Sequence, residues 1–238
     1  MFSRICMTVG SACYMSGLFR VPLDAARRMV PDDYFTVAEI FPDEAVFFVG
    51  TGDFHDCPIG PYREMYLGFY SENREPGQGC TREDNLAEFT RNESKMYMWK
   101  NWVTTAAAME KMDRAGSTVF RRGEIERSQN ESSTTFTLTH PTEGGIHFSA
   151  PRHAEQSQTG THMKRTHYGR LHGEPSRCVL DLRLDTMMTS LGEGRLELSG
   201  RLADECAELG VLETPMVAIW IDEMNFDMHK AVSLTPTA

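Results

Sequence analysis

Tyr62-Arg63-Glu64-Met65-Tyr66-Leu67-Gly68-Phe69-Tyr70 alternates two kinds of side chain with a period of two, the repeat of a β-strand. One face carries Tyr62, Glu64, Tyr66, Gly68 and Tyr70; the other carries Arg63, Met65, Leu67 and Phe69. A lone carboxylate in a row of tyrosines does not suit a packed core, because an unpaired buried charge is costly. It suits a pocket wall, where phenols and a carboxyl of raised pKa handle protons. It equally suits a solvent-facing glutamate whose neighbouring tyrosines cover a sheet edge. The spacing leaves both open.

Similar strands recur on either side. Residues 35–41 alternate and lead through Pro42 and Asp43 into 45–49, a hairpin by spacing. An aromatic strand is expected over 96–103, with others over 118–127, 134–140, 145–149, 162–170, 178–184, 195–199, 216–221 and 226–232. Strand after strand with turn signals between them predicts a mainly antiparallel sheet, closed or nearly so. Helices are fewer: 22–30, the Ala-rich 104–114, and an amphipathic 201–209 ending at Gly210. The polar stretch 71–94, interrupted by Pro76, Gly77 and Gly79, is either a lid or a disordered surface loop. With no repeat and no linker, residues 1–238 read as one α+β domain with a few peripheral helices.

Composition narrows the function. The chain has 238 residues, 24 basic against 34 acidic, and a net charge of −10, which argues against nucleic acid or an anionic membrane as partner. An apolar fraction of 40% excludes a disordered chain. Six cysteines without a C-x-x-C pair read as free thiols. Residues 5–19 are the one candidate targeting signal, diluted by Thr8, Gly10, Ser11, Ser16 and Gly17. No stretch reaches the roughly 18 apolar residues of a membrane span, so a soluble, cytoplasmic protein is expected.

Eight histidines invite a metal, and His162, His167 and His172 are evenly spaced. A five-residue step flips the face of a strand and fails to converge ligands on a helix. No metal and no cofactor are expected. Nucleophile elbows, papain-like cysteine contexts and phosphate loops are missing from the sequence too.

Four segments together resemble the acetoacetate decarboxylase-like superfamily. They are D-A-A-R-R-M-V-P-D (24–32), H-D-C-P-I-G-P-Y-R-E-M (55–65), W-V-T-T-A-A-A-M-E (102–110) and H-G-E-P-S-R-C-V-L-D-L (172–182). Each is weak alone, but their order runs colinearly from about residue 18 to about 230. The resemblance implies a large bent sheet forming a cone-shaped barrel around a buried small-molecule pocket, and assembly as a homo-oligomer. It also implies that Glu64 is the family's pocket glutamate. The founding activity decarboxylates a β-keto acid through a Schiff base on a lysine of lowered pKa.

Here the sequence departs from the family. Only five lysines stand beside nineteen arginines. Aligned without gaps, the Schiff-base position holds Phe120, and a slip of one or two gives Arg121 or Arg122. Arginine stays protonated and does not condense with ketones under ordinary conditions. The W-G-x-P before the lysine is replaced by Gly116-Ser117-Thr118-Val119. A first-strand arginine and a second glutamate of the family fall near Ala12 and Gly50. Lys164 is the best substitute lysine, with Lys111 behind it.

The expected function is therefore a lyase- or isomerase-type enzyme of secondary metabolism, doing acid/base chemistry on a carbonyl-containing or polyketide-like metabolite. The reaction would be dehydration, isomerisation, cyclisation or retro-aldol cleavage. Glu64 would move the proton and Tyr62 or Tyr66 would bond the enolate. Arg121 or Arg122 would hold an anion, and Trp102 and Phe120 would wall the cavity. A decarboxylase with a relocated lysine and a non-catalytic ligand-binding protein are the alternatives.

Overall fold

The computed structural model describes residues 4–30, 34–72, 80–91, 93, 95–152 and 156–234. In chain order the elements are β1 (Ile5–Pro22), α1 (Leu23–Met29), β2 (Glu44–Asp56), β3 (Tyr62–Ser71), α2 (Arg82–Thr90), β4 (Lys95–Val103) and α3 (Ala106–Ala115). There follow β5 (Arg121–Arg122), β6 (Glu124–Gln129), β7 (Ser133–His140), β8 (Gly144–Pro151), β9 (Gln156–Leu171) and β10 (Glu174–Leu191). The chain ends with β11 (Arg195–Ser199), α4 (Arg201–Cys206) with a 3-10 turn, β12 (Val217–His229) and β13 (Val232–Ser233).

Seven strands close into a ring in the order β12-β1-β2-β3-β4-β9-β10, because β10 pairs with β12 as well as β9. All contacts around the ring are antiparallel except β4–β9, which is parallel and short (Met96 with His167, Tyr97 with Tyr168). This is the bent, barrel-like sheet expected, with one parallel seam. A second sheet, β11-β8-β7-β6, lies against the outside of the ring.

Strand alternation then produces two cores. Inward residues Tyr14, Phe48, Tyr66, Met98 and Ile221 form one with α3, whose Ala108, Met112 and Ala115 pack into it. Outward residues Phe47, Met65, Leu67, Phe69 and Trp102 form the other with Phe136, Ile146 and Phe148 of the small sheet. Gly17 is part of that fit, since a Cβ there would lie 2.7 Å from the Phe148 ring.

Several expectations need correction. Residues 5–19 belong to the 18-residue strand β1, at the heart of the ring. Residues 35–41 form no strand: only Val37–Ser71 and Phe41–Glu44 bridges occur, although Phe35, Val37 and Ile40 are buried. Their apolar alternation is satisfied by packing without a ladder. Residues 118–127 break at Gly123, where a Cβ would meet Leu138 at 2.6 Å, so β5 joins one sheet and β6 the other. The strands expected at 216–221 and 226–232 run together as β12 up to His229, with Val232 in β13, and the exposed Asp222 and Glu223 form a bulge between the pairs of β12 with Tyr14 and Ala12. The polar stretch 71–94 contains α2, started by a capping box between Thr81 and Asp84. Residues 73–79, 92 and 94, where much of the lid reading rests, lie outside the described residues.

Candidate active site

Inside the ring is a cavity of about 70 Å³. Its lining is mostly apolar (Met98, Met112, Met163, Met224 and Met228 among others), with Glu64 as the one carboxyl and Arg165 as the one guanidinium among the described residues. Tyr14, Tyr62, Tyr66 and His167, with the smaller Ser117 and Thr118, add the other polar groups of the wall.

Strand β3 places its tyrosine face inward, as its alternation requires. Glu64 sits opposite Gly52 on β2 and Val103 on β4, so neither cross-strand neighbour offers a charge or a side-chain hydrogen bond. Burial pushes its pKa from 4.5 up to about 8. A carboxyl in that range can give or take a proton near neutral pH. Tyr62 stacks on Phe54 with ring centroids 4.4 Å apart, and its buried hydroxyl has no hydrogen-bond partner among the described residues. Burial, then the nearby Glu64, hold the Tyr62 phenol well above its ordinary range.

Further along the barrel Tyr66 donates its hydroxyl hydrogen to Tyr14 at 3.1 Å. Arg165 Nη1 donates to the same Tyr14 oxygen at 3.3 Å and lies over the Tyr14 ring, 5.6 Å from its centroid. No carboxylate pairs with Arg165 among the described residues. His167, two residues on and facing the same way, is lowered to about 3 by burial and then by Arg165, so its ring is neutral. Its Nε2 is buried without a partner.

The residues singled out from sequence divide. Glu64, Tyr62, Tyr66 and Phe120 line the cavity; Trp102, Arg121, Arg122 and Lys164 do not. Trp102 is turned away by a β-bulge in β4, where the register against β3 shifts between Leu67 and Gly68. Met96 and Met98 point inward before the shift; Lys100 and Trp102 point outward after it. There Trp102 Nε1 donates to Glu143 at 3.0 Å. Arg121 and Arg122 are exposed, and Arg121 Nε lies 3.4 Å from Glu143. Lys164 is exposed because β9 sends Met163, Arg165 and His167 inward.

The other lysines are also elsewhere. Lys111 Nζ donates to the Cys6 carbonyl at 2.6 Å, and Lys100 is buried between Glu205 (2.5 Å) and Glu143 (3.6 Å). No lysine lines the cavity among the described residues. Of the two positions with absent family groups, Ala12 is buried in the inner core. A Cβ at Gly50 would lie 2.2 Å from Tyr66 Cε2, so the tyrosine ring fills the space a glutamate would need.

The residues missed were Tyr14, Arg165 and His167. A usable signal was present: taking Met163 as inward on β9 puts Arg165 and His167 beside it and Lys164 outside. Outside the ring, Cys13, Asp53 and His55 bring three possible metal-ligating atoms together. Asp53 there already faces Arg127 at 3.2 Å and Arg63 at 3.3 Å, which leaves it poorly suited to a cation.

The closed, bent ring with a second sheet outside it is the acetoacetate decarboxylase-like fold. The chain is similar in structure to the enduracididine biosynthesis enzyme MppR complexed with pyruvate (15% identity, TM-score 0.66, 98% of this chain and 91% of that one). It is similar also to acetoacetate decarboxylase from Legionella pneumophila subsp. pneumophila str. Philadelphia 1 (10%, 0.66, 96% and 87%). An acetoacetate decarboxylase-like enzyme from Sphingomonas wittichii RW1 matches at 10% identity and TM-score 0.54, over 94% of this chain and 92% of that one. No protein-family model and no curated protein matches the sequence. No helix among the described residues is long and apolar enough to cross a membrane.

Proposed function

We propose that this chain is a small-molecule enzyme that moves a proton on a carbonyl-containing anion, using Glu64 and no Schiff base. The observation that carries the reading is the isolation of Glu64: a buried carboxyl raised to about 8, lining the cavity without a charged partner. Ionised, it takes a proton from the carbon next to a carbonyl; protonated, it returns one to the enolate. Tyr62, whose hydroxyl hydrogen is unused, is placed to bond the developing oxygen charge. Arg165, which no carboxylate pairs among the described residues, is the anion holder in place of Arg121 and Arg122.

Enolisation of this kind serves dehydration, isomerisation, cyclisation or retro-aldol cleavage, which puts the enzyme among lyases or isomerases. The tyrosines fill the barrel, so the free space favours a small 2-oxo or 3-oxo acid over a polyketide-like or aromatic metabolite. That MppR was solved with pyruvate supports pyruvate as a first probe. A homo-oligomer in the cytoplasm, working in secondary metabolism, completes the reading.

The test is exchange of the pyruvate methyl protons for deuterium in heavy water, followed by proton NMR. The wild-type chain is expected to catalyse it, and Glu64→Gln to lose about 10²–10⁴-fold. Equal rates in the two proteins would overturn the assignment of Glu64.

A further inference from the structure

The bulge that turns Trp102 out of the barrel turns Asn101 in. Asn101 pairs with Tyr66 of β3, and Val103, two residues on, pairs with Glu64. Asn101 is therefore a diagonal cross-strand neighbour of Glu64, a separation that long side chains and a bound ligand can bridge. On its other side Trp102 pairs with Arg121, which brings Phe120 alongside Asn101. Tyr66 and Phe120 both line the cavity; Asn101, paired beside Tyr66 and next to Phe120 in the register, is not among its lining residues.

The side chain is fully buried, 0% exposed, and neither Oδ1 nor Nδ2 has a hydrogen-bond partner among the described residues. An amide carries two donors and an acceptor oxygen, and burying all of them unused is costly. A leucine of similar bulk would fill the same place among Tyr66, Val103 and Phe120 without that cost. Buried polar groups without partners need a reason, and here the neighbouring cavity supplies one. The Tyr62 hydroxyl, unpartnered as well, lies on the inward face of the same strand as Glu64.

We propose that Asn101 is a substrate-contacting residue: its Nδ2 donates to the carbonyl oxygen of the anion held by Arg165, facing that carbonyl toward Glu64. The inference rests on the reading of the cavity given above. It adds a specificity: an oxo acid, whose carbonyl accepts this bond, is preferred to its saturated analogue. The bond requires the Phe120 ring to move aside from the amide, while Tyr66 stays held by Tyr14 and against Gly50.

The experiment binds [2-¹³C]pyruvate to the full chain and follows the carbonyl resonance, with propionate as the analogue lacking the carbonyl. Wild type and Glu64→Gln are expected to shift the bound carbonyl downfield. Asn101→Leu and the smaller Asn101→Ser are expected to lose that shift and to bind pyruvate at least tenfold more weakly, with propionate affinity unchanged. Asn101→Leu is also expected to melt no lower than wild type, because its amide bonds nothing in the free protein. An unchanged carbonyl shift in either folded Asn101 variant would overturn the proposal and leave the cavity reading intact. Failure of wild type to bind either acid would overturn the cavity reading, and this proposal with it.

Discussion

Glu64 and Arg165 line one cavity, and neither a hydrogen bond nor an ion pair joins them. Had they paired, the carboxyl would be held ionised and the guanidinium would be spent. Kept apart, the acid stays at about 8 and the cation stays available. Tyr14 and Tyr66 support this separation, because they surround Arg165 with phenols in place of carboxylates.

Stability should report the same isolation. The Glu64 pKa rises from 4.5 to about 8 on folding, so the folded state holds a proton that the unfolded chain releases between those values. Its contribution is fully present below about pH 4.5 and is lost as pH rises through about 8. The difference in unfolding free energy between wild type and Glu64→Gln, from urea titrations at pH 5.5 and 8.5, should move by a few kcal/mol against wild type at the higher pH. A difference independent of pH would show Glu64 to be ordinary.

Arg165→Met should trade function for stability. Replacing this enclosed cation, which no carboxylate pairs among the described residues, by a shorter uncharged thioether is expected to raise stability by about 1 kcal/mol. Pyruvate affinity, read by calorimetry, should fall at least tenfold. A variant that is both less stable and fully able to bind would mean that Arg165 serves packing.

Sodium borohydride added with pyruvate should leave the intact mass of the protein unchanged, because no lysine lines the cavity among the described residues. A single trapped adduct, located by peptide mapping to Lys164 or Lys111, would restore the Schiff-base alternative.

Glu143 is predicted to matter for folding and little for chemistry. It receives Trp102 at 3.0 Å and faces Arg121 at 3.4 Å and Lys100 at 3.6 Å, all on the outside of the ring. Lys100 keeps Glu205 and an amide oxygen still accepts from Trp102, so Glu143→Gln should cost about 1 kcal/mol and lower the melting temperature by about 2–4 °C. Exchange activity of the folded variant should change less than threefold. An unaltered melting temperature would mean the network contributes little.

Much of the barrel was legible because period-two alternation survives wherever a strand separates two cores. Residues 62–70 were read with the right faces for that reason. β1 was harder to read: Gly10, Ser11, Ser16 and Gly17 break its apolar pattern, and Gly17 is small to admit Phe148 from a strand about 130 residues away. The site was half legible. Glu64 stood out as a charge among phenols, whereas Trp102 was lost to a bulge that nothing in the local pattern announces. Arg165 was overlooked beside Lys164, although one step of alternation separates an inward side chain from an outward one. Arg121 and Arg122 lay near the aligned lysine position but on a two-residue strand at the surface, where alignment carries no information about direction.

The pH dependence of deuterium exchange into pyruvate, measured for wild type and Glu64→Gln, tests the central claim most directly. Glu64 acts as base in its ionised form, so the wild-type rate should climb with pH and level off with a midpoint near 8. The variant should show only the slow buffer-catalysed background. A wild-type rate with no inflection between pH 6 and 9, or one that Glu64→Gln retains, would contradict it.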